Sequence, residues 1–192
     1  MKKMILLTFL LFSCGEEKPI INRSGVYPEY YENFDLEFRQ IVMEFETDAA
    51  KNFTSYDASN VKSIKMVGDK LSWIDDEANK TAVGICYYRM DGVGEIQIKS
   101  SHWEKISYAE KKQMLYHELG HCVMNLDHDD KFYQWPCGNA RSIMNSYVLN
   151  KEMIDRCWSD MLINYFQYNP MQLKETEDCF KVSADSKICL IK

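Results

Sequence analysis

The chain has 192 residues and a formal charge of −6 at pH 7, and 46% of its residues are hydrophobic. This length and composition predict one domain of ordinary size with an apolar core, and we expect a monomer. The sequence has no run or stripe of Lys and Arg. It therefore argues against a nucleic-acid-binding protein.

The first residues are typical of an export signal. Met1-Lys2-Lys3 is positively charged, and Met4–Phe12 is apolar but too short to span a bilayer as a mature helix. The stretch Leu11-Phe12-Ser13-Cys14 resembles the lipobox of bacterial lipoproteins, in which the cysteine is lipidated. An ordinary secretory signal is the alternative.

This resemblance divides the chain into three parts. It implies a lipoprotein signal peptide over residues 1–13, a tether over 14–28 that begins with the lipidated Cys14, and a folded domain over 29–192. The implied location is the bacterial cell envelope, with the protein held at a membrane by its lipid anchor.

Cysteine usage fits an exported protein. Six of the seven cysteines follow Cys14, and an even number outside the cytoplasm favours disulfides over thiolate metal ligands. We prefer the pair Cys179–Cys189, which closes a short loop, and then Cys137–Cys157. The absence of a Cys-x-x-Cys spacing argues against a structural zinc site made of four cysteines.

The pattern in the first half predicts a helix followed by strands. Apolar residues at a spacing near 3.6 indicate a helix over Glu29–Asn52. Alternating or β-branched residues then indicate three strands, over Val61–Val67, Thr81–Tyr88 and Glu95–Lys99. The turn residues Asp91–Gly94 join the last two strands into a hairpin.

The second half begins with a well-marked helix. Ser107-Tyr108-Ala109-Glu110 is a capping box, and the helix that follows is expected to end near Met124. The polar stretch Asp127–Ala140 predicts a loop, and Lys151–Tyr168 predicts a last helix. The expected fold class is α+β, with a small, mostly antiparallel or mixed sheet packed on the first helix and on the capped helix.

Three of the four histidines lie between His117 and His128, and the first two belong to an H-E-x-x-H motif. Residues four apart on a helix share a face, so His117 and His121 can bind one zinc ion together. Glu118 then lies where it can take a proton from a zinc-bound water as general base. The motif therefore predicts one catalytic Zn²⁺ ion.

The third zinc ligand depends on where the helix ends. A third ligand six residues after His121 is Asp127, and a third ligand seven residues after it, which adds one residue to the connection, is His128. The second spacing puts Asn125, rather than Met124, at the left-handed position that ends the helix, and Asn tolerates positive φ better than Met. We favour His128, since imidazole is also the commoner zinc ligand, and keep Asp127 as the alternative.

The run from His117 to Asp130 resembles the metzincin clan of zinc metallopeptidases. His128-Asp129 is similar to the reprolysin-type ending of that motif, and Ser142–Tyr147 resembles the matrixin and reprolysin Met-turn. In the clan, this turn puts a methionine, here Met144, beneath the zinc. The resemblance spans about residues 81–168.

The resemblance implies a zinc-dependent endopeptidase that acts on protein or peptide substrates. It also implies that an edge strand, Glu95–Lys99, binds the substrate backbone by strand addition. Tyr147 is a candidate transition-state stabiliser, although its position three residues past Met144, rather than two, favours a packing role.

Two other functions remain open at this point. One is a catalytically silent zinc-binding surface lipoprotein that acts as an adhesin or binding module. The intact Glu118 argues against it, because retention of a metal does not require that residue. The other is a structural envelope protein whose motif is fortuitous, which predicts no bound zinc.

Overall fold

A computed structural model of the chain describes residues 28–52, 54, 56–89, 92–167, 179–183 and 186–192, with backbone alone at 89, 179–183, 186 and 187. The predicted signal peptide, Cys14 and nearly all of the tether lie outside the described residues. Within these ranges, no helix has both the length and the apolar character needed to cross a bilayer.

The fold is α+β, as predicted. In chain order the elements are a 3-10 helix (Glu29–Asn33), α1 (Leu36–Lys51), β1 (Val61–Val67), α2 (Asp76–Thr81), β2 (Gly84–Arg89), β3 (Gly94–Lys99), α3 (Ser100–Trp103), α4 (Tyr108–Met124), β4 (Phe132–Trp135), β5 (Gly138–Arg141), α5 (Lys151–Gln167), β6 (Cys179–Ser183) and β7 (Ser186–Ile191).

The main sheet has the strand order β1-β3-β2-β7-β6. Strands β1 and β3 are parallel, and the other neighbours are antiparallel. The expectation that Glu95–Lys99 is a substrate-binding edge is wrong, because β3 lies between β1 and β2. The far side of β2 is also paired, with β7, so the edges of the described sheet are β1 and β6.

Helix α4 lies at the centre of the fold. It packs on β2, β3 and β7 with one side, and it contacts α1 and α5 with another. Phe45 of α1 meets Tyr116 of α4 edge-to-face at 5.4 Å between ring centroids, and Tyr165 of α5 donates its hydroxyl to the Tyr116 carbonyl. The middle of α4, from Gln113 to Cys122, is buried between these elements.

Two predicted element boundaries are corrected by long-range contacts. The first helix is interrupted at Phe34, which pairs with Ile64 of β1, and α1 starts only after Asp35. The predicted strand over Thr81–Tyr88 starts at Gly84 instead, because Thr81 ends the short helix α2.

The predicted loop over Asp127–Ala140 contains a hairpin. Strands β4 and β5 pair from Phe132 opposite Arg141 to Trp135 opposite Gly138. Gly138 has a φ of +110°, a conformation that glycine adopts without strain. Among the described residues these two strands form a separate two-stranded sheet, and each has only four residues. Such short strands leave little alternation for a sequence pattern to reveal.

The disulfides join the helices to the strands. The predicted pair Cys137–Cys157 is confirmed, and it links the hairpin β4–β5 to α5. A second disulfide, Cys86–Cys122, links β2 to α4. Cys189 is disulfide-bonded and lies opposite Cys179 in the β6–β7 register, but the predicted Cys179–Cys189 pair lies outside the described side chains.

Candidate metal centre

Helix α4 begins and ends at residues that the sequence marks. Ser107 accepts from the backbone N–H of Glu110, and the Glu110 carboxylate accepts from the backbone N–H of Ser107, which completes the capping box. At the other end, Asn125 has φ 54° and ψ 39°, the left-handed conformation that terminates a helix. Asn125 and Leu126 both donate backbone N–H groups to the Gly120 carbonyl.

The left-handed turn at Asn125 carries the chain back towards α4 and brings His128 beside the two helical histidines. The Nε2 atoms of His117 and His121 are 2.9 Å apart, and His128 Nε2 lies 3.1 Å from the first and 3.2 Å from the second. Three nitrogens around one tetrahedral zinc would be separated by about 3.3 Å, given zinc–nitrogen bonds of 2.0–2.1 Å. The triangle therefore matches the size of a metal site.

Asp127, the alternative third ligand, is buried but is not part of this cluster. Among the described residues, the group whose ligand atoms converge within 4.8 Å consists of His117, His121 and His128. The structure thus brings together the three histidines that the longer spacing predicts.

The outward-facing ring nitrogens define the protonation of two of these imidazoles. His117 Nδ1 lies 3.1 Å from the Ile143 carbonyl, and His121 Nδ1 lies 2.6 Å from the Leu126 carbonyl. A carbonyl oxygen can only accept, so both Nδ1 atoms carry hydrogen, and in its neutral form each ring directs an Nε2 lone pair inwards. Lone pairs 2.9 Å apart repel each other unless a cation lies between them.

Burial supports the same protonation state. His117 is fully buried, and burial together with the neighbouring His128 holds the pKa of His117 well below its ordinary value. His117 is therefore neutral at pH 7, the form in which imidazole binds a metal. This donor set fits a divalent metal ion.

The turn around Met144 supports the cluster from one side. Ser142 accepts from the backbone N–H of Asn145, which closes the turn, and the Ile143 carbonyl inside it accepts from both His117 and Gln113. Gln113 is fully buried, and its oxygen also accepts from the Leu149 backbone N–H. Gln113 thereby ties the turn to α4.

Met144 itself is fully buried and packs against α4 at Gly120. A Cβ atom at Gly120 would lie 2.5 Å from Met144 Sδ and 3.0 Å from the Tyr165 hydroxyl. The close approach of the Met144 side chain to the helix therefore requires glycine at position 120.

Two aspartates after His128 hold the loop in place. Asp129 donates its backbone N–H to the Met144 carbonyl, and its carboxylate accepts from the Tyr133 hydroxyl. The Asp130 carboxylate accepts from the side chain of Asn145 and from the backbone and hydroxyl of Ser146. Sequence reasoning missed Gln113 and Asp130. Their hydrogen-bond partners lie 15 or more residues further along the chain, in or just after the Met144 turn, and only the fold brings them together.

Glu118 lies between α4 and the sheet. It is completely buried, and neither carboxyl oxygen has a hydrogen-bond partner among the described residues. Burial raises the pKa of Glu118 well above its usual range. A buried, unpartnered carboxyl group costs free energy, which is why such groups cluster at sites that exchange protons or bind charged groups.

Tyr147 has a different environment from the rest of the predicted site. Its side chain is 57% exposed, whereas the three histidines and Glu118 are buried. Its backbone N–H donates to the Asn145 side chain. The described contacts do not bring its hydroxyl to the histidine cluster.

The site is a buried three-histidine centre in an α+β domain. Helix α4 supplies two of its histidines and also Glu118, whose carboxyl group has no hydrogen-bond partner in the part of the chain that the structure describes. No protein-family model matches the sequence, and neither curated proteins nor solved structures gave a significant match. The arrangement of its own residues therefore carries the functional argument.

Proposed function

We propose that this protein is a zinc-dependent endopeptidase of the metzincin type, with protein or peptide substrates. The observation that carries the proposal is the convergence of three Nε2 atoms at 2.9–3.2 Å, two of them from α4, which also holds the buried Glu118. Metal storage or a structural site would require the histidines but would not require a buried carboxyl group without partners.

The donor set favours zinc over other metals. Three imidazoles, with Cys86 and Cys122 consumed in a disulfide, form a nitrogen-only site of the kind that catalytic zinc uses. When bound there, zinc would lower the pKa of water and polarise a carbonyl group. His117, His121 and His128 would hold the metal, while the carbonyls of Ile143 and Leu126 fix two of the rings.

Glu118 would serve as the proton carrier. As a carboxylate it takes a proton from the attacking water at one of its oxygens. As a carboxylic acid it then gives that proton to the departing amine. Its burial keeps bulk water from competing for this proton. A cation held by the histidines would favour the carboxylate and so offset the effect of burial on its pKa.

The test of this proposal compares a peptide-library digest by the zinc-loaded chain with the same digest by Glu118→Gln. We expect cleavage products from the wild type and a loss of at least about a hundredfold in rate for the variant, which still binds zinc. Glu104→Gln, at an exposed glutamate, is the matched control and should cleave like the wild type. Equal cleavage by Glu118→Gln and the wild type would contradict the proposed role.

We also propose that the protein works in the bacterial cell envelope, anchored through Cys14. The two described disulfides support an oxidising compartment. Labelling of cells with a radioactive or clickable fatty acid tests the anchor. Label should appear on the wild-type chain and disappear in Cys14→Ala, and label retained by that variant would contradict lipidation.

A further inference from the structure

The end of β7 lies between two stretches of backbone, and the space that it fills between them is called the groove below. On one side, the Val83 N–H donates to the Ile191 carbonyl at 2.8 Å. On the other side, Lys192 donates its N–H to the Ser146 carbonyl and accepts from the Val148 N–H, both at 2.9 Å. An extended segment hydrogen-bonded along both sides is how peptides bind by strand addition.

One wall of this groove belongs to the candidate centre. Ser146 and Val148 follow directly on the turn that holds Met144, and Ser146 is fixed by the Asp130 carboxylate. The other wall is the start of β2, where Gly84 lies opposite Ile191 in the strand register. The groove therefore runs between the sheet and the Met144 turn.

The same segment lies against Gly84, which Glu118 also approaches. A Cβ atom at Gly84 would be 2.8 Å from Glu118 Oε1 and 2.9 Å from Ile191 Cγ2, so both side chains occupy the space above this glycine. Ile191 and Glu118 are each fully buried. The end of β7 and the candidate proton carrier therefore border the same glycine.

We propose that Ile191 and Lys192 occupy the groove in which an extended peptide substrate binds, so that the described fold is a self-blocked form of the enzyme. This inference rests on the proposed peptidase function and adds a substrate class and a regulatory step to it. The groove selects an extended backbone with a branched apolar residue at the position of Ile191. Opening requires Ile191 and Lys192 to leave the groove, which exposes the buried Ile191 side chain.

The blocking segment competes strongly because it belongs to the same chain. Strand β7 pairs with β2 from Arg89 to Gly84, and this pairing holds Ile191 at the groove at an effective concentration in the millimolar range. A free peptide must reach a similar concentration to displace it. The intact chain should therefore cleave peptides slowly even when it is fully loaded with metal.

The test opens the groove with two variants. The first is a chain that stops at Leu190, which removes the two groove residues and leaves the rest of β7 paired with β2. The second is Lys192→Pro, which removes the N–H donated to Ser146, and Lys192→Ala is its matched control because it keeps that N–H. Thermal unfolding of each variant checks that the domain is folded.

Two readouts separate the closed groove from catalysis. The first readout is the binding of acetohydroxamate to the cobalt-loaded proteins, followed by their visible spectrum; this measurement does not require catalysis. The second readout is peptide cleavage by the zinc-loaded proteins. We expect both opened variants to bind acetohydroxamate at least about tenfold more tightly than the wild type and Lys192→Ala. In the chain that stops at Leu190, the dipeptide amide Ile-Lys, which has the sequence of the removed residues, should compete with acetohydroxamate. The reversed dipeptide amide Lys-Ile should not compete.

Each outcome has a distinct meaning. Tighter acetohydroxamate binding together with faster cleavage supports both the blocked groove and the peptidase. Tighter binding without any cleavage supports the blocked groove and overturns the peptidase. Equal acetohydroxamate binding by the opened variants and the wild type overturns the blocked groove, whatever the cleavage assay shows.

Discussion

Gln113 Nε2 and His117 Nδ1 donate to the same acceptor, the carbonyl oxygen of Ile143, at 3.0 and 3.1 Å. The two residues lie one turn apart on α4, and the shared carbonyl belongs to the turn that carries Met144. The orientation of a candidate metal ligand therefore depends on a neutral glutamine that shares its hydrogen-bond acceptor.

The first prediction concerns this glutamine. Gln113→Met fills a similar volume but removes the bonds to Ile143 and Leu149, so the turn and the His117 ring lose a fixed position. We expect zinc affinity to fall by about tenfold, the low end of effects seen for groups that orient metal ligands. Competition with a chromogenic chelator measures this affinity. Gln40→Met, at an exposed glutamine, is the control, and equal affinities in all three proteins would contradict the prediction.

The second prediction concerns the contact between Gly120 and Met144. Gly120→Ala improves helix propensity by up to about 1 kcal/mol, but its Cβ overlaps Met144 and Tyr165 in a packed core. We expect a net loss of about 1–2 kcal/mol in unfolding free energy by denaturant titration.

The matching control for this overlap is Gly68→Ala. A Cβ at Gly68 has no heavy atom within 4 Å, so that substitution should be close to neutral. The cost of Gly120→Ala should also shrink in a Met144→Ala background, since the principal overlap is then removed. A cost unchanged by Met144→Ala would show that the overlap with Met144 is not the cause.

The third prediction concerns the left-handed residue that ends α4. Asn125→Gly keeps the φ of 54° without strain and should leave stability unchanged or slightly raised. Asn125→Ala should lose about 1 kcal/mol, because a Cβ disfavours this conformation and Ala lacks the local hydrogen bonds that help Asn to adopt it. Thermal unfolding of the pair gives the comparison, and equal stabilities of the Gly and Ala variants would contradict it.

The fourth prediction concerns pH and His102. Burial lowers the pKa of His102, and its Nε2 has no hydrogen-bond partner in the described parts of the chain. The unfolded chain therefore takes up the His102 proton at a higher pH than the folded chain does. The stability associated with this residue is complete above the ordinary pKa of about 6.5 and is lost as pH falls through the lowered value.

The measurement is the unfolding free energy of the metal-free chain from pH 7.5 down to pH 5. Wild type should lose more stability over this range than His102→Gln, whose side chain does not titrate. Using the metal-free form in both samples keeps competition between protons and metal out of the comparison. Parallel pH profiles for the two proteins would exclude His102 as a contributor.

Sequence reasoning succeeded where the determinants are local. The capping box at Ser107 and Glu110 and the helix end at Asn125 depend on residues within a few positions, and both are present as predicted. The α+β class followed from periodicity in the same way. The spacing to His128 could be chosen because the stereochemistry of Asn and Met differs at one φ angle.

Sequence reasoning failed where the determinants are distant. Strand β3 is an inner strand because it pairs with β1 on one side and with β2 on the other. The second side of β2 pairs with β7, which comes from the far end of the chain. The Cys86–Cys122 disulfide depends on the same packing of α4 on the sheet. Six cysteines allow fifteen pairings, and only the three-dimensional structure distinguishes them.

The most direct test of the metal centre is the zinc content of three purified, zinc-loaded proteins after removal of loosely bound metal. The three-histidine centre predicts one zinc ion per chain in the wild type and in Asp127→Ala, and loss of that zinc in His128→Ala. Full zinc in His128→Ala together with loss in Asp127→Ala would contradict the centre described here.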